Sequence, residues 1–332
     1  MTEKIDTLFQ DYNQLDVPGA CVAAIKDGDF LLIKSYGLAN IEQKIAVSEF
    51  TNFRIASVTK QFTAMAIMIL KQSGDIDYED AITKYFSGAP KIWEQITIRR
   101  LLSHTSGLVD YEDLIPPDYK TPVRDCDVLE LLKTRGETYF TPGTQYKYSN
   151  TGYAFLALIV EKVSGKRFAT FMKENIFDPL EMENTVVFDE GFNEVKNRAF
   201  GYREIANGFE FADQSLTSSV LGDGGIYASI MDYFRWDQAL YGEKLVRDDI
   251  LKQAFTPQIL LNGASTGYGF GWRIDENSGV KIIHHNGSTC GFSTAVRRIP
   301  EQKFSIVIFT NRSGKKAQEL ADKLLDQKEN IV

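Results

Sequence analysis

Ser293-Thr294-Ala295-Val296-Arg297, then Ile299-Pro300-Glu301-Gln302, then Phe304-Ser305-Ile306-Val307-Ile308-Phe309 decides the architecture. Two runs rich in β-branched and aromatic residues flank a tight-turn signal, and together they read as an antiparallel hairpin. Just upstream, Lys281-Ile282-Ile283-His284 reads as a third strand. Just downstream, Leu320, Leu324 and Leu325 share one face of a closing helix. At the other end of the chain, Val22-Ala23-Ala24-Ile25 and Phe30-Leu31-Leu32-Ile33 flank Lys26-Asp27-Gly28-Asp29, a second hairpin. The stretch between, roughly 60–210, is helical in pattern, with one helix from Val128 to Thr134. Another runs from Thr151 to Val163 and stops at Ser164-Gly165. The expected class is therefore α+β. An antiparallel β-sheet built from both termini is flanked by helices and carries an inserted, mostly helical lobe. The sheet lobe is expected at 1–60 and 211–332 and the helical lobe at 61–210, with a cleft between them as the usual place for a site.

The bulk properties narrow the function. The chain has 332 residues, 43% hydrophobic and 25% charged, which is ample for a core. A net charge of −8 argues against nucleic acid or an anionic membrane as the main partner. No segment approaches the ~20 apolar residues of a membrane span. Met1-Thr2-Glu3-Lys4-Ile5-Asp6 is polar and reads as an amphipathic helix rather than a signal peptide. A cytoplasmic protein is the expectation, with a periplasmic or extracellular one as the alternative for a trimmed chain. Cys21, Cys126 and Cys290 are odd in number and far apart, which suits reduced thiols.

No metal or cofactor is expected. His284 and His285 are neighbours on a strand and point to opposite faces, which leaves them unable to share an ion with His104 easily. Asp75-Ile76-Asp77-Tyr78-Glu79-Asp80 imitates a calcium loop but has Asp80 where Gly is needed and Phe86 where Glu is needed. Gly222-Asp223-Gly224-Gly225 is no nucleotide fingerprint, since Tyr227 occupies the last glycine position. Ser229-x-x-Asp232 reads instead as a helix-starting capping box.

Three short motifs carry chemistry. In Phe53-Arg54-Ile55-Ala56-Ser57-Val58-Thr59-Lys60-Gln61-Phe62, a serine and a lysine stand three apart where a helix begins. On one helix face, the amine can take the hydroxyl proton, the Ser-Lys form of nucleophilic catalysis. The same spacing recurs at Ser278/Lys281 and Ser313/Lys316, but both sit in turn signals that open no apolar-periodic helix. Tyr148-x-Asn150 precedes the Thr151 helix. Its phenol can move a proton when an ammonium is near, and its amide can orient a substrate; the ordinary alternative is a packed ring and an N-cap. His285-Asn286-Gly287-Ser288 falls where one strand is expected to end. Gly287 allows close backbone approach, and the Ser288 amide could pair with that of Ser57 as an oxyanion hole; the ordinary alternative is a β-turn.

Ser-x-x-Lys, Tyr-x-Asn and His-x-Gly in this order resemble the serine β-lactamase and penicillin-binding-protein superfamily, and within it the class C-like branch with its esterases and D-amino-acid peptidases. Leu101-Leu102-Ser103-His104-Thr105-Ser106-Gly107-Leu108, Phe140-Thr141-Pro142-Gly143, Gly224-Gly225-Ile226-Tyr227-Ala228-Ser229 and Tyr268-Gly269-Phe270-Gly271-Trp272 extend the likeness over nearly the whole chain. The resemblance implies a β-lactamase/transpeptidase-like fold and a serine hydrolase that cleaves an ester or amide through an acyl-Ser57 intermediate. It implies Ser57 as nucleophile, Lys60 as its proton partner and Tyr148 as the group that aids the leaving group, with Lys60 and Tyr148 both open as the acylation base. Asn150, His285, Gly287 and Ser288 are the implied substrate-binding positions. The implied substrate is a small molecule or short peptide of esterase, D-amino-acid peptidase or D-Ala carboxypeptidase type. A β-lactamase proper, or a non-catalytic sensor on the same fold, is the alternative. One departure stands out. The third motif usually begins with Lys, a permanent cation for a substrate carboxylate, and here it begins with His285. The family's Gln after Gly107-Leu108 is also not evident; Tyr111 stands nearby.

Overall fold

The computed structural model describes residues 2–277, 279–314 and 316–328; Ser278, one of the alternative serines, lies outside them. Its frame is a six-stranded antiparallel sheet. In chain order the strands are β1 (Ala20–Lys26), β2 (Asp29–Tyr36), β3 (Arg273–Asn277), β4 (Val280–Thr289), β5 (Phe292–Ile299) and β6 (Phe304–Thr310). They lie side by side as β3-β4-β5-β6-β1-β2. Both expected hairpins are present, and the two ends of the chain meet at the centre, where Ala20 faces Thr310 and Lys26 faces Phe304.

Strand alternation explains why β1 and β6 read as unbroken apolar runs, because both faces of the sheet are covered. On one face, Ala20, Val22, Ala24, Ile306 and Ile308 pack with Ile5 and Phe9 and with Ala317, Leu320, Ala321 and Leu324. The first two of those partners lie in or just after helix α1 (Thr2–Leu8), and the last four belong to α4 (Lys316–Asp326). Ser313-x-x-Lys316 therefore does precede an apolar-faced helix, contrary to expectation, but Lys316 Nζ donates to Asp11 at 2.6 Å. On the other face, Cys21, Ala23, Ile25, Val307 and Phe309 join the large core built around α2 (Thr59–Ser73) and α3 (Asn150–Ser164).

Helix α2 is buried on every side from Thr59 to Met68, the mark of a central helix rather than an amphipathic surface one. Gly74 ends it in the left-handed conformation, and Gly165 ends α3 the same way, where a side chain would be strained. Thr59 and Thr63 then tie α2 to the glycine-rich stretch. The Ile226 amide donates to Thr59 Oγ1 at 3.2 Å, and Thr63 Oγ1 donates to the Gly222 carbonyl at 2.7 Å. A Cβ on Gly222 would lie 2.2 Å from the Tyr153 carbonyl, so that stretch fits against α3 only as glycine. The capping serine is also seen, with Ser229 accepting from the Asp232 amide at 3.1 Å. No helix among the described residues is long and apolar enough to cross a membrane.

Candidate active site

Ser57 does not sit in α2 itself. It lies in the single 3-10 turn Ala56–Val58 that feeds the helix. The cause is Ala56, whose φ of 49° is left-handed and breaks the helical path one residue before Ser57. This leaves Ser57 half-buried and facing a cleft, with Lys60 wholly buried one turn on.

The lysine organises everything around it. Its Nζ donates to Ser57 Oγ at 3.2 Å, to Asn150 Oδ1 at 2.8 Å and to the Asp223 carbonyl at 2.9 Å. An ammonium has three protons, and all three are placed. The same Nζ lies 5.1 Å from the centre of the Tyr148 ring and 5.5 Å from that of Tyr153. Asn150 is the first residue of α3 rather than its N-cap. Its side chain leaves the helix end alone and bridges Lys60 to Glu112, whose Oε1 accepts from Nδ2 at 3.1 Å.

The third motif differs from the expectation in one respect. β4 does not end before it but runs on to Thr289, so His285, Gly287 and Ser288 are strand residues and the turn falls at Cys290-Gly291. A Cβ on Gly287 would lie 2.4 Å from the Ile55 carbonyl and 3.1 Å from the Ala56 Cβ. Only glycine therefore lets β4 lie against the segment carrying Ser57, and that contact sets Ser288 beside Ser57 on the cleft wall. Thr294 Oγ1 braces the same segment by donating to the Ile55 carbonyl at 3.0 Å. The histidines part as alternation requires. His284 turns to Asp275 at 2.9 Å, while His285 turns inward, bonds Tyr268 Oη at 3.0 Å and the Asn286 carbonyl at 2.7 Å, and is 2% exposed. Burial first, and the Lys60 charge second, hold the His285 imidazole neutral, well below the ordinary histidine range. It does not line the cleft; it backs Tyr148, with ring centres 6.1 Å apart.

Several residues at the site carry no local sequence signal. Asp223, in the short helix Leu221–Gly224, accepts from Tyr111 Oη at 2.9 Å, and burial pushes its carboxyl up to about 7. Asp110 accepts from the Asn150 amide at 2.8 Å, and burial raises its carboxyl and that of Glu112 above the usual range. Behind them, Asp125 accepts from the Leu221 and Gly222 amides at 2.8 and 3.2 Å, and burial pushes it up to about 8. Arg273 on β3 places its guanidinium 5.5 Å from the Tyr148 ring centre, and no carboxylate among the described residues pairs with it.

The cleft over Ser57 is narrow. It measures about 40 Å³ and is walled by Ser288, Thr289, Asn150, Glu112 and Tyr111. At ~10–15 Å³ per water it has room for only a few heavy atoms. A far larger cavity, about 880 Å³, is lined by Phe188, Phe192 and Arg198, but its hydroxyls, Ser48 and Thr51, contact each other at 3.4 Å with no amine beside them. Ser57, with Lys60 bonded to it, lines the small cleft and not the large one.

With this geometry in view, the comparison with known proteins is decisive. A model of the beta-lactamase family matches residues 5–329. The chain belongs to the beta-lactamase family. It is a β-lactamase-like hydrolase acting on amide or ester bonds. Among curated relatives, penicillin-binding protein 4* of Bacillus subtilis is 32% identical over 99% of this chain and 75% of its own length. The D-aminopeptidase of Brucella ovis is 28% identical over 93% of this chain, which spans 59% of that relative. Among solved structures, the octameric penicillin-binding protein homologue from Pyrococcus abyssi superposes with a TM-score of 0.85 at 27% identity, covering 99% of this chain and 77% of its own. The D-amino acid amidase from Ochrobactrum anthropi SV3 has a TM-score of 0.82 at 23% identity over 99% and 98% of the two chains, a likeness of fold.

Gly287→Ala is expected to keep the fold but lower kcat/KM about 10²-fold or more, the scale of a 1 Å misplacement. Steady-state kinetics beside circular dichroism checks it; a loss of folded protein with full activity per folded molecule would contradict the close-approach account. Asp125 supplies a pH test. Its folded carboxyl is raised from 3.8 to about 8, so the folded state keeps a proton that the unfolded chain loses above about pH 4. Its stabilisation is complete below that pH and is lost as pH climbs toward 8. The Tm of Asp125→Asn should therefore fall less than wild type between pH 5 and 8; parallel curves would refute the assignment.

Proposed function

We propose that Ser57 is the nucleophile of a hydrolase that removes a small D-amino acid from an amide, peptide or ester. The observation that carries this reading is the 3.2 Å bond between buried Lys60 Nζ and Ser57 Oγ. A lysine wholly buried beside a half-exposed serine serves proton transfer better than it serves folding. Ser57 Oγ attacks the substrate carbonyl carbon, and its proton passes to the Lys60–Tyr148 pair, which must enter this step one proton short, as the free amine of Lys60 or the phenolate of Tyr148. The oxyanion so formed would be held by the amides of Ser57 and Ser288, two residues that share the cleft wall. Its collapse breaks the C–N or C–O bond, and the departing atom takes up the proton. Water then repeats the sequence on the acyl-enzyme and frees Ser57.

The substrate class follows from charge around the acyl side. Glu112 borders the cleft and is held by Asn150, with Asp110 and Asp223 behind it. A substrate ammonium there would draw the raised carboxyls toward their charged forms. That favours a free amino acid over a neutral acyl group, and the narrow cleft favours a small side chain. The relative named a D-aminopeptidase supports the D configuration. On the far side of Tyr148, Arg273 offers the cation that His285, being neutral, does not, which suits a leaving group ending in a carboxylate.

Intact-mass analysis after exposure to D-alanine p-nitrophenyl ester should show an acyl adduct on wild type and none on Ser57→Ala, with turnover abolished. Equal rates for the two proteins would sink the assignment of the nucleophile. Glu112→Gln should raise KM for D-alanine p-nitroanilide about ten-fold, the ~1.4 kcal/mol expected of a partly exposed charge-assisted bond. KM for p-nitrophenyl acetate, which has no amine, should stay unchanged; a parallel rise would remove Glu112 from amine recognition.

A further inference from the structure

Among the buried titratable groups that the mechanism leaves unused, one stands beside Tyr148. His104 lies in the loop after Leu101-Leu102, is 2% exposed and carries a φ of 57°. A left-handed backbone costs a non-glycine residue roughly 1–2 kcal/mol, so something must hold it there. Its own amide donates to the Leu101 carbonyl at 3.3 Å and its ring also meets Tyr153 and Tyr268, but two further hydrogen bonds run to one short segment. The Lys147 amide donates to the His104 carbonyl at 3.0 Å, and the Ser149 amide donates to His104 Nδ1 at 3.2 Å. Between those two anchored residues lies Tyr148, and the His104 ring covers it, with centroids 4.2 Å apart and planes at 33°. The residues on both sides of Tyr148 are thus tied to His104, whose ring also makes the closest of the ring contacts to Tyr148, ahead of His285 and Tyr268 at 6.1 and 6.3 Å.

Tyr148 needs this support because its own polar end has none. Its hydroxyl is buried and no protein group bonds it. The position of the phenol is therefore set by what touches its ring and by the backbone on either side. Lys60 and Arg273 approach that ring as cations at 5.1 and 5.5 Å, which alone would not fix its tilt.

We propose that His104 is a positioning residue for Tyr148, holding the phenol in register with Lys60 for proton delivery to the leaving group. The proposal rests on the reading of Tyr148 given above. It explains the residue type: only a histidine supplies both a flat ring for the stack and an in-plane acceptor for the Ser149 amide. It also fixes the tautomer. Nδ1 accepts, so the proton must sit on Nε2 and the ring must be neutral. Burial, reinforced by the Lys60 charge, holds it so, well below the ordinary histidine range.

Two variants separate the two contacts. His104→Phe keeps a ring and loses the acceptor, while His104→Asn keeps an acceptor near the Nδ1 position and loses the stack. Each is assayed with D-alanine p-nitrophenyl ester and D-alanine p-nitroanilide, normalised to serine labelled by a fluorophosphonate. p-Nitrophenolate departs without a proton and p-nitroaniline does not. A positioning role predicts that each variant loses about ten-fold or more in kcat on the anilide but no more than about three-fold on the ester, part of the 10²–10⁴ that positioned proton transfer supplies. KM should hold. Equal losses on both substrates, or none, would overturn the proposal and leave His104 a packing residue. Tyr148→Phe is run alongside. If it shows no selective loss on the anilide, the reading of Tyr148 fails; if it does and the His104 variants do not, only the present inference fails. A wild-type measurement covers variants that fail to fold. In ¹⁵N-histidine spectra at pH 7 one imidazole should be an Nε2–H tautomer that shifts when Ser57 is phosphonylated. Absence of such a ring, or a ring that ignores the adduct, would equally overturn it.

Discussion

The site depends on one buried ammonium. Taking Lys60 out of water costs several kcal/mol unless its protons find acceptors. The chain meets that requirement with groups from three separate regions: a hydroxyl at 57, an amide oxygen at 150 and a carbonyl at 223. Each acceptor is fixed by a different element. The 3-10 turn before α2 fixes the first, the start of α3 the second, and the glycine-rich turn packed on α3 the third. Misplacing any of the three would leave a buried charge short of a partner, so the lysine polices the packing of the whole helical region. The same requirement places the Ser57 hydroxyl, the Asn150 amide and the acid cluster around one point.

The acids near that point follow the opposite rule. Asp125 and Asp223 are buried with no cation bonded to their carboxyls, and burial raises both. They act as neutral or half-charged acceptors for backbone amides and a tyrosine hydroxyl, which suits a wall that must stay in place beside a charged lysine. A carboxylate bonded directly to Lys60 would have locked it as a spectator ion pair. Carbonyl and amide oxygens hold it without that penalty.

Much of this was legible in the sequence, and the limits were physical. The hairpins, the antiparallel sheet from both termini and the Ser57/Lys60 pair follow from periodicity and local spacing, which are properties of short segments. His285 was harder: the run Asn286-Gly287-Ser288 carries turn-forming residues, yet the partner strand keeps it extended as far as Thr289. Asn150 reads locally as a substrate-orienting amide or as a helix cap; Ser149 takes the cap position, and Lys60, ninety positions earlier, bonds the Asn150 side chain. Glu112, Asp223, Tyr268 and Arg273 reach the site only through long-range packing. His104 and Asp223 did fall inside stretches that resemblance or glycine content singled out, but no spacing rule shows what they touch.

The pairing of β1 with β6 has a consequence for how the molecule comes into being. Ala20 and Thr310 are neighbours in the sheet although almost the entire chain separates them. A ribosome that has released β1, β2 and the Ser57 segment has therefore made that segment with no floor beneath it, since β4, β5 and β6 follow more than two hundred residues later. Contacts of such long sequence separation form slowly. Until they do, Gly287 is not there to press on Ile55. The brace on the Ser57 segment is complete only when the sheet closes.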